Sequence, residues 1–292
     1  MNKTDINANP FFIFQEYNPP ATIQLGFPEL PRPGTNGFFQ LIRFWLQDCD
    51  ESHKDCQGLI TDYLPTRLID IGSSENSRIH LLETRNEKPA NTKYIALSHP
   101  WGDPVRHPPF KTLQKNLNEF LHQISYDQLP ATFKDAIKTA RALGIRYLWI
   151  DSLCIIQGDD GDFSDEAKRM EDVFSSAYCV LAASRATGQH DGFLNDHPQR
   201  GYVTFGDGAD KRFHVCQHID DFSHDVLEGS FNRRGWVLQE RALARRTVFF
   251  TENQTYFECG NGVRCGTLAK MHKYAALHVL NSTTNQSLSV PY

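Results

Sequence analysis

Apolar residues along this chain recur with two different periods. In residues 39–56 (FQLIRFWLQDCDESHKDC), Phe39, Ile42, Trp45 and Leu46 share one face at helical spacing, which predicts a helix over this stretch. Two short strand-like runs follow, Arg67 to Ile71 and Ile79 to Leu82, separated by a Gly-Ser-Ser-Glu-Asn turn. Tyr94-Ile95-Ala96-Leu97-Ser98 is a continuous apolar strand that ends in a Pro/Gly loop, His99 to Pro104. Thr132 is placed to cap a helix from Phe133 to Leu143, and Gly144 to stop it. The run Tyr147 to Ile150 then reads as a buried strand ending at Asp151, Ser164 to Ser176 as a helix, and Cys179 to Ala183 as the next strand. Strand, helix, strand, helix, strand predicts an α/β fold whose core is a parallel sheet flanked by helices.

The C-terminal third has a different texture. Tyr202 to Phe205 and Phe213 to Cys216 flank Gly206-Asp207-Gly208-Ala209-Asp210, a hairpin signal. Thr247 to Phe250 and Thr255 to Cys259 form a second such pair across Thr251 to Gln254. Both read as antiparallel β-hairpins added to the parallel core. Residues 1–38, rich in Pro, Asn and Gly, read as an N-terminal arm, 39–268 as the body, and 269–292 as a tail that begins as a helix.

Composition narrows the classes. A chain that is 40% hydrophobic and 22% charged folds, which excludes a disordered or fibrous protein. Its net charge of −5, with no basic block, argues against general nucleic-acid or membrane-surface binding. No stretch reaches the roughly 18–20 apolar residues of a membrane helix, and no apolar secretory segment follows Met1. The seven cysteines are an odd number spread along a large chain, so reduced thiols and a cytoplasmic location are expected, with no structural disulfide.

Candidate chemistry falls at the carboxyl ends of the parallel strands, where such sheets bind ligands. Ser98, His99 and Trp101 follow one strand, Asp151 and Ser152 another, and the loop Gln157 to Asp162 lies beyond. Each is also what any strand end looks like. Glu166 is sharper, because Glu166, Met170, Val173 and Ala177 lie at i, i+4, i+7 and i+11 and so share the inward face of one helix. A carboxylate there is costly unless it is paired or at a cleft edge, although a first-turn acid also complements the helix dipole. Glu166 is expected to open into a cleft shared with Ser98 to Gly102 and Asp151 to Gln157.

The block Arg233-Arg234-Gly235-Trp236-Val237-Leu238-Gln239-Glu240-Arg241 could clamp an anionic group or tie a helix to the body through an Arg–Glu network. Cys49, His53 and Cys56 sit at i, i+4 and i+7, and zinc would need a fourth ligand such as Cys259 or Cys265. The spacing is not a short Cys-x-x-Cys knuckle, so these read as ordinary half-buried cysteines and no metal is expected. Serine-hydrolase, Walker and Gly-x-Gly-x-x-Gly signatures are missing.

Taken in order, these segments resemble the fungal heterokaryon incompatibility (HET) domain. The resemblance runs through Leu64 to Asp70, Tyr94 to Gly102, Leu129 to Ile137, Gly144 to Gln157, Glu166 to Tyr178 and Arg234 to Arg241, so it spans about residues 40–265. It implies an intracellular fungal protein of nonself recognition and regulated cell death. It also implies a distant likeness to TIR domains, with their flavodoxin-like sheet and, in some members, NAD hydrolysis through a glutamate. An aromatic residue stands three positions before that glutamate, and Phe163 to Glu166 has this spacing. Phe163 stands where the family usually has Trp, and Pro100 where it often has Cys.

Three readings follow. An NAD-consuming effector would use Glu166, with Trp101 or Phe163 stacked on a ring and Gly102 allowing close approach. A biosynthetic isomerase or cyclase, for example in secondary metabolism, would use Glu166, Asp151 or His99 as acid and base. A non-catalytic interaction module would need neither. The substrate-binding set on the first two readings is Ser98, Trp101, Gly102, Ser152, Phe163, Arg234, Trp236 and Gln239. NAD enters as a substrate, with no bound cofactor expected, and the partners are a small molecule or nucleotide and a second protein or a further copy of the chain.

Overall fold

The computed structural model describes residues 29–56, 63–87, 89, 93–205, 213–232, 235–267 and 270–271. The chain order begins with helix α1 (Asn36–Ser52), the hairpin β1 (Arg67–Asp70) and β2 (His80–Glu83), then β3 (Tyr94–Ser98). Helices α2 (Leu117–His122) and α3 (Ala131–Ala142) lead to β4 (Tyr147–Ile150) and the short α4 (Asp151–Cys154). Next come α5 (Phe163–Glu166), α6 (Met170–Ser176) and β5 (Cys179–Ala182), then β6 (Tyr202–Phe205) and β7 (Phe213–Cys216). Helix α7 (Gly235–Leu243) is followed by β8 (Arg246–Phe250), β9 (Thr255–Cys259), β10 (Gly262–Cys265) and β11 (Lys270–Met271).

Nine strands form one mixed sheet in the order β11-β10-β9-β8-β5-β3-β4-β1-β2. β3 runs parallel to β4 and to β5, as the apolar runs predict. Every residue of β1, β3, β4, β5 and β8 is buried, the mark of a sheet covered on both faces. Among the packed pairs, Trp45 of α1 stacks on Phe257 at 6.0 Å between centroids, and Trp149 meets Phe174 of α6 edge-on at 5.6 Å. Arg43 of α1 donates to the Ala142 carbonyl at 2.8 Å and so caps α3.

Several expectations are corrected. The hairpin β8–β9 forms, but β8 also pairs parallel with β5, so it belongs to the parallel core and is no peripheral addition. β10 and β11 extend that edge antiparallel, and their short polar-interrupted runs carry little period. The β6–β7 hairpin forms a separate two-stranded sheet, and its turn lies outside the described residues. Helix α1 starts earlier than 39, capped by the Thr35 hydroxyl that accepts from the Phe38 amide, and ends at Ser52 before a single 3-10 turn. Thr132 is not a cap. It sits inside α3 with Pro130 at the N-cap, and its hydroxyl donates to the Gly188 carbonyl. Gly144 does stop α3, at φ 74°.

The predicted helix Ser164 to Ser176 is two helices, with a 3-10 turn over Ala167–Arg169 between α5 and α6. Val173 and Ala177 nonetheless stay buried with Glu166. Most of the arm (residues 1–28) and the tail beyond Met271 lie outside the described residues, and Lys270–Met271 is strand where a helix was expected. Among the described residues no helix is long and apolar enough to cross a membrane. All seven cysteines are free thiols.

Candidate active site

Two carboxyl groups from distant parts of the chain lie at the carboxyl ends of β3 and β4, near enough for the charge of Asp151 to act on Glu240. Ser98, the last residue of β3, is 4% exposed, and its hydroxyl donates to Glu240 on α7. Asp151 opens α4 directly after β4, so the strand's end fixes its position. Its Oδ1 accepts from the Ser152 amide at 2.6 Å, and its Oδ2 accepts from the Trp101 indole at 2.7 Å. His99 Nδ1 stands 3.7 Å from Asp151 Oδ1, while its ring packs edge-on against Phe133. The buried Ser152 hydroxyl is within 3.4 Å of Gln189 Nε2, whose side chain also holds the Phe110 amide.

The ionisation of Glu240 is set by its surroundings. Burial pushes the Glu240 carboxyl up to about 8, and the negative charge of Asp151 pushes the same way against the Ser98 hydrogen bond. Glu240 is therefore a neutral acid at physiological pH. Asp151 keeps 28% of its side-chain surface open, enough for a ligand to reach it. A carboxyl held neutral beside a second, more exposed one is an arrangement by which acid and base roles are separated in one site.

Glu166, expected at a cleft edge, is held by two partners. Glu166 is 6% exposed, and its Oε1 accepts from the Thr66 hydroxyl at 2.7 Å and from Arg169 at 3.1 Å. These partners, Thr66 before β1 and Arg169 one turn on, are where the structure places its bonds. Phe163 is 51% exposed at the start of α5. Gly102 makes its close approach to the chain itself, because at φ 88° a Cβ there would lie 3.0 Å from the Gly188 Cα. Of the remaining predicted site residues, Arg234 and the side chains of Trp236 and Gln239 lie outside the described residues.

Glu240 was missed because the block around it reads equally as an Arg–Glu network. Arg241 does form one, a bidentate pair with Glu258 at 2.7 Å for both bonds, which ties α7 to β9. The Glu166 ion pair had a visible signal, since Arg169 stands at i+3. Glu166→Gln is expected to leave any activity of the chain within about threefold and to cost roughly 0.5–1 kcal/mol, because Arg169 is 41% exposed. Parallel activity and urea-unfolding curves check this, and a collapse of activity at unchanged stability would return Glu166 to the site.

Comparison with known proteins agrees with these segments. The family model described as "Heterokaryon incompatibility protein (HET)" matches residues 94–240, a span that runs from β3 to Glu240 itself. Among curated proteins, "Heterokaryon incompatibility protein 6, OR allele" of Neurospora crassa is 26% identical over a match covering 53% of this chain and 28% of that protein. The chain thus spans well under half the length of this relative. No solved structure matches it.

Proposed function

Because this chain belongs to the heterokaryon incompatibility family, we propose that it acts in fungal nonself recognition and regulated cell death by consuming NAD, with Asp151 as the reactive carboxylate. The observation that carries this reading is the pair at the strand ends, an accessible Asp151 near a Glu240 whose carboxyl is pushed up to about 8. Strand order supports it as well. Numbered along the chain, the parallel strands β3, β4, β5 and β8 lie in the order 2-1-3-4. Flavodoxin-like sheets share that order and bind ligands at the carboxyl ends of their strands, which supports the TIR-like reading.

In this reaction the bond between the ribose C1′ and the nicotinamide nitrogen breaks, and its electron pair leaves with nicotinamide. The leaving group needs no proton, so the demand on the protein is stabilisation of the ribosyl cation. Asp151 supplies the negative charge, and water captures the cation and releases its proton to solvent. Neutral Glu240 offers a hydrogen bond to the substrate without adding a second charge near its pyrophosphate. Trp101, held by its indole bond to Asp151, presents an aromatic face for a ring to stack on.

Purified protein incubated with NAD should release nicotinamide, and the KM should rise as the pH passes through about 8 and Glu240 ionises. Glu240→Gln stays neutral at every pH, so its KM should remain flat while kcat changes little. An isomerase or cyclase on the same scaffold needs proton transfer, and there Glu240→Gln would lower kcat steeply. Nicotinamide release no faster than in protein-free buffer would overturn the reading.

A further inference from the structure

The opposite end of the sheet carries a second cluster, built from residues far apart in sequence. Cys259 ends β9 and pairs in register with Arg246, the first residue of β8. Since β8 runs parallel to β5 and through it to β3 and β4, Cys259 lies at the amino ends of the parallel strands, away from Asp151 and Glu240. Helix α1 delivers Cys49 to the same place. The helix stops at Ser52, and the His53 amide closes back on the Cys49 carbonyl at 3.3 Å. The 3-10 turn Lys54–Cys56 then folds Cys56 inward, its amide bonded to the His53 carbonyl at 2.9 Å.

One ligand atom from each of Cys49, His53, Cys56 and Cys259 lies within 4.8 Å of all the others. Around a tetrahedral zinc with bonds of about 2.3 Å to sulfur and 2.0–2.1 Å to nitrogen, ligand atoms stand roughly 3.5–3.8 Å apart. Cys259 Sγ and His53 Nδ1 are already 3.4 Å apart. Exposures of 0%, 7%, 3% and 9% in chain order leave no room for a substrate. A disulfide would join two of the sulfurs and leave the third with the imidazole, and no cysteine of the chain is so joined.

The surroundings suit a metal too. With Nδ1 turned to the cluster, His53 Nε2 stands 3.5 Å from Asp48 Oδ2, a carboxylate that also holds Arg264. A metal on Nδ1 would turn Nε2–H towards Asp48, as in carboxylate–histidine–metal relays. Three thiolates and a divalent cation sum to one negative charge. The guanidiniums of Arg264, 3.2 Å from His53 Nε2, and of the buried Arg246, bonded to the Cys56 carbonyl at 3.5 Å, lie close enough to offset it.

We propose that Cys49, His53, Cys56 and Cys259 form a closed structural zinc site that fastens the end of α1 to β9. On binding, the three thiols release their protons to water and the metal takes four protein ligands, with no open position for chemistry. The ligand set, soft sulfur with one imidazole in tetrahedral arrangement, selects zinc among the common divalent ions.

The test is metal analysis of the full chain, purified under reducing, chelator-free conditions from zinc-supplemented cells. About one zinc per chain is expected. Cys259→Ser and Cys49→Ser should lose it, while Cys216→Ser, outside the cluster, should keep it. Should the serine variants fail to fold, cobalt exchanged into the unaltered chain provides an independent reading. Tetrahedral visible bands with sulfur-to-cobalt charge transfer are expected, together with a lower melting temperature after chelation. Folded chain that takes up neither zinc nor cobalt, or mass analysis finding a disulfide within the three cysteines, would overturn the proposal.

Discussion

Asp151→Asn should reduce NAD cleavage by about 10²- to 10³-fold, the usual loss when one preorganised stabiliser of developing charge is removed. The substitution keeps the size of the side chain and leaves one oxygen to accept from Ser152 or Trp101, which Asp151 holds at 2.6 and 2.7 Å. One of these bonds is lost, at a cost of about 1 kcal/mol, so the melting temperature should fall by only about 2–4 °C. The same change removes the negative charge that helps hold Glu240 neutral, so Glu240 should ionise at lower pH in the variant. Steady-state nicotinamide release and thermal unfolding, measured side by side, check the prediction. Near-normal turnover in a well-folded Asp151→Asn protein would remove Asp151 from the chemistry.

Arg67→Met should have the largest effect on stability, about 3 kcal/mol, or roughly 6–12 °C in melting temperature. Arg67 is the first residue of β1, and its side chain is 7% exposed. It donates to the Cys154 carbonyl at 3.0 Å and to Asp162 Oδ2 at 2.6 Å, with Glu83 Oε1 3.8 Å from its Nε. Asp162 Oδ1 in turn accepts from the Ile156 amide at 2.8 Å, so one guanidinium pins the whole loop that follows α4. Methionine fills similar volume but leaves the Cys154 carbonyl and the Asp162 carboxylate without their cation. Because α4 opens with Asp151, loosening its far end should also raise the KM for NAD. Arg67→Lys should recover little, since an ammonium cannot bridge both acceptors in the same plane. Calorimetry showing a shift below about 2 °C would contradict this account.

How much was legible depended on whether a contact was local. The runs Tyr94 to Ser98, Tyr147 to Ile150 and Cys179 to Ala182 are apolar throughout and bounded by polar residues, so burial on both faces could be read directly. The hairpin β8–β9 announced its antiparallel partner four residues away, but not that its other edge would join β5. Glu166 shows the same split between local and distant contacts. Helical periodicity gave its inward face correctly, while the short-range partner Arg169 and the long-range partner Thr66 decide what the carboxylate does there.

Glu240 owes its ionisation to burial and to neighbours such as Ser98, 142 residues earlier, so no local pattern could single it out. The cluster at the other end of the sheet is half local and half distant. Cys49, His53 and Cys56 share a helix end, but Cys259 arrives from 206 residues beyond His53, and only the fold selects it over Cys265. Cys265 is instead turned to Asp220 and Thr267.

The central claim is that the Glu240 carboxyl stays neutral near Asp151 at the carboxyl ends of β3 and β4. Carbon-13 NMR of protein labelled at glutamate side-chain carboxyls, titrated from acid to alkaline pH, measures this without reference to any substrate. One glutamate resonance should titrate near pH 8, far above the ordinary value of about 4.3, and should vanish from the spectrum of Glu240→Gln. A spectrum in which the resonance lost in Glu240→Gln titrates with the ordinary glutamates would contradict the account.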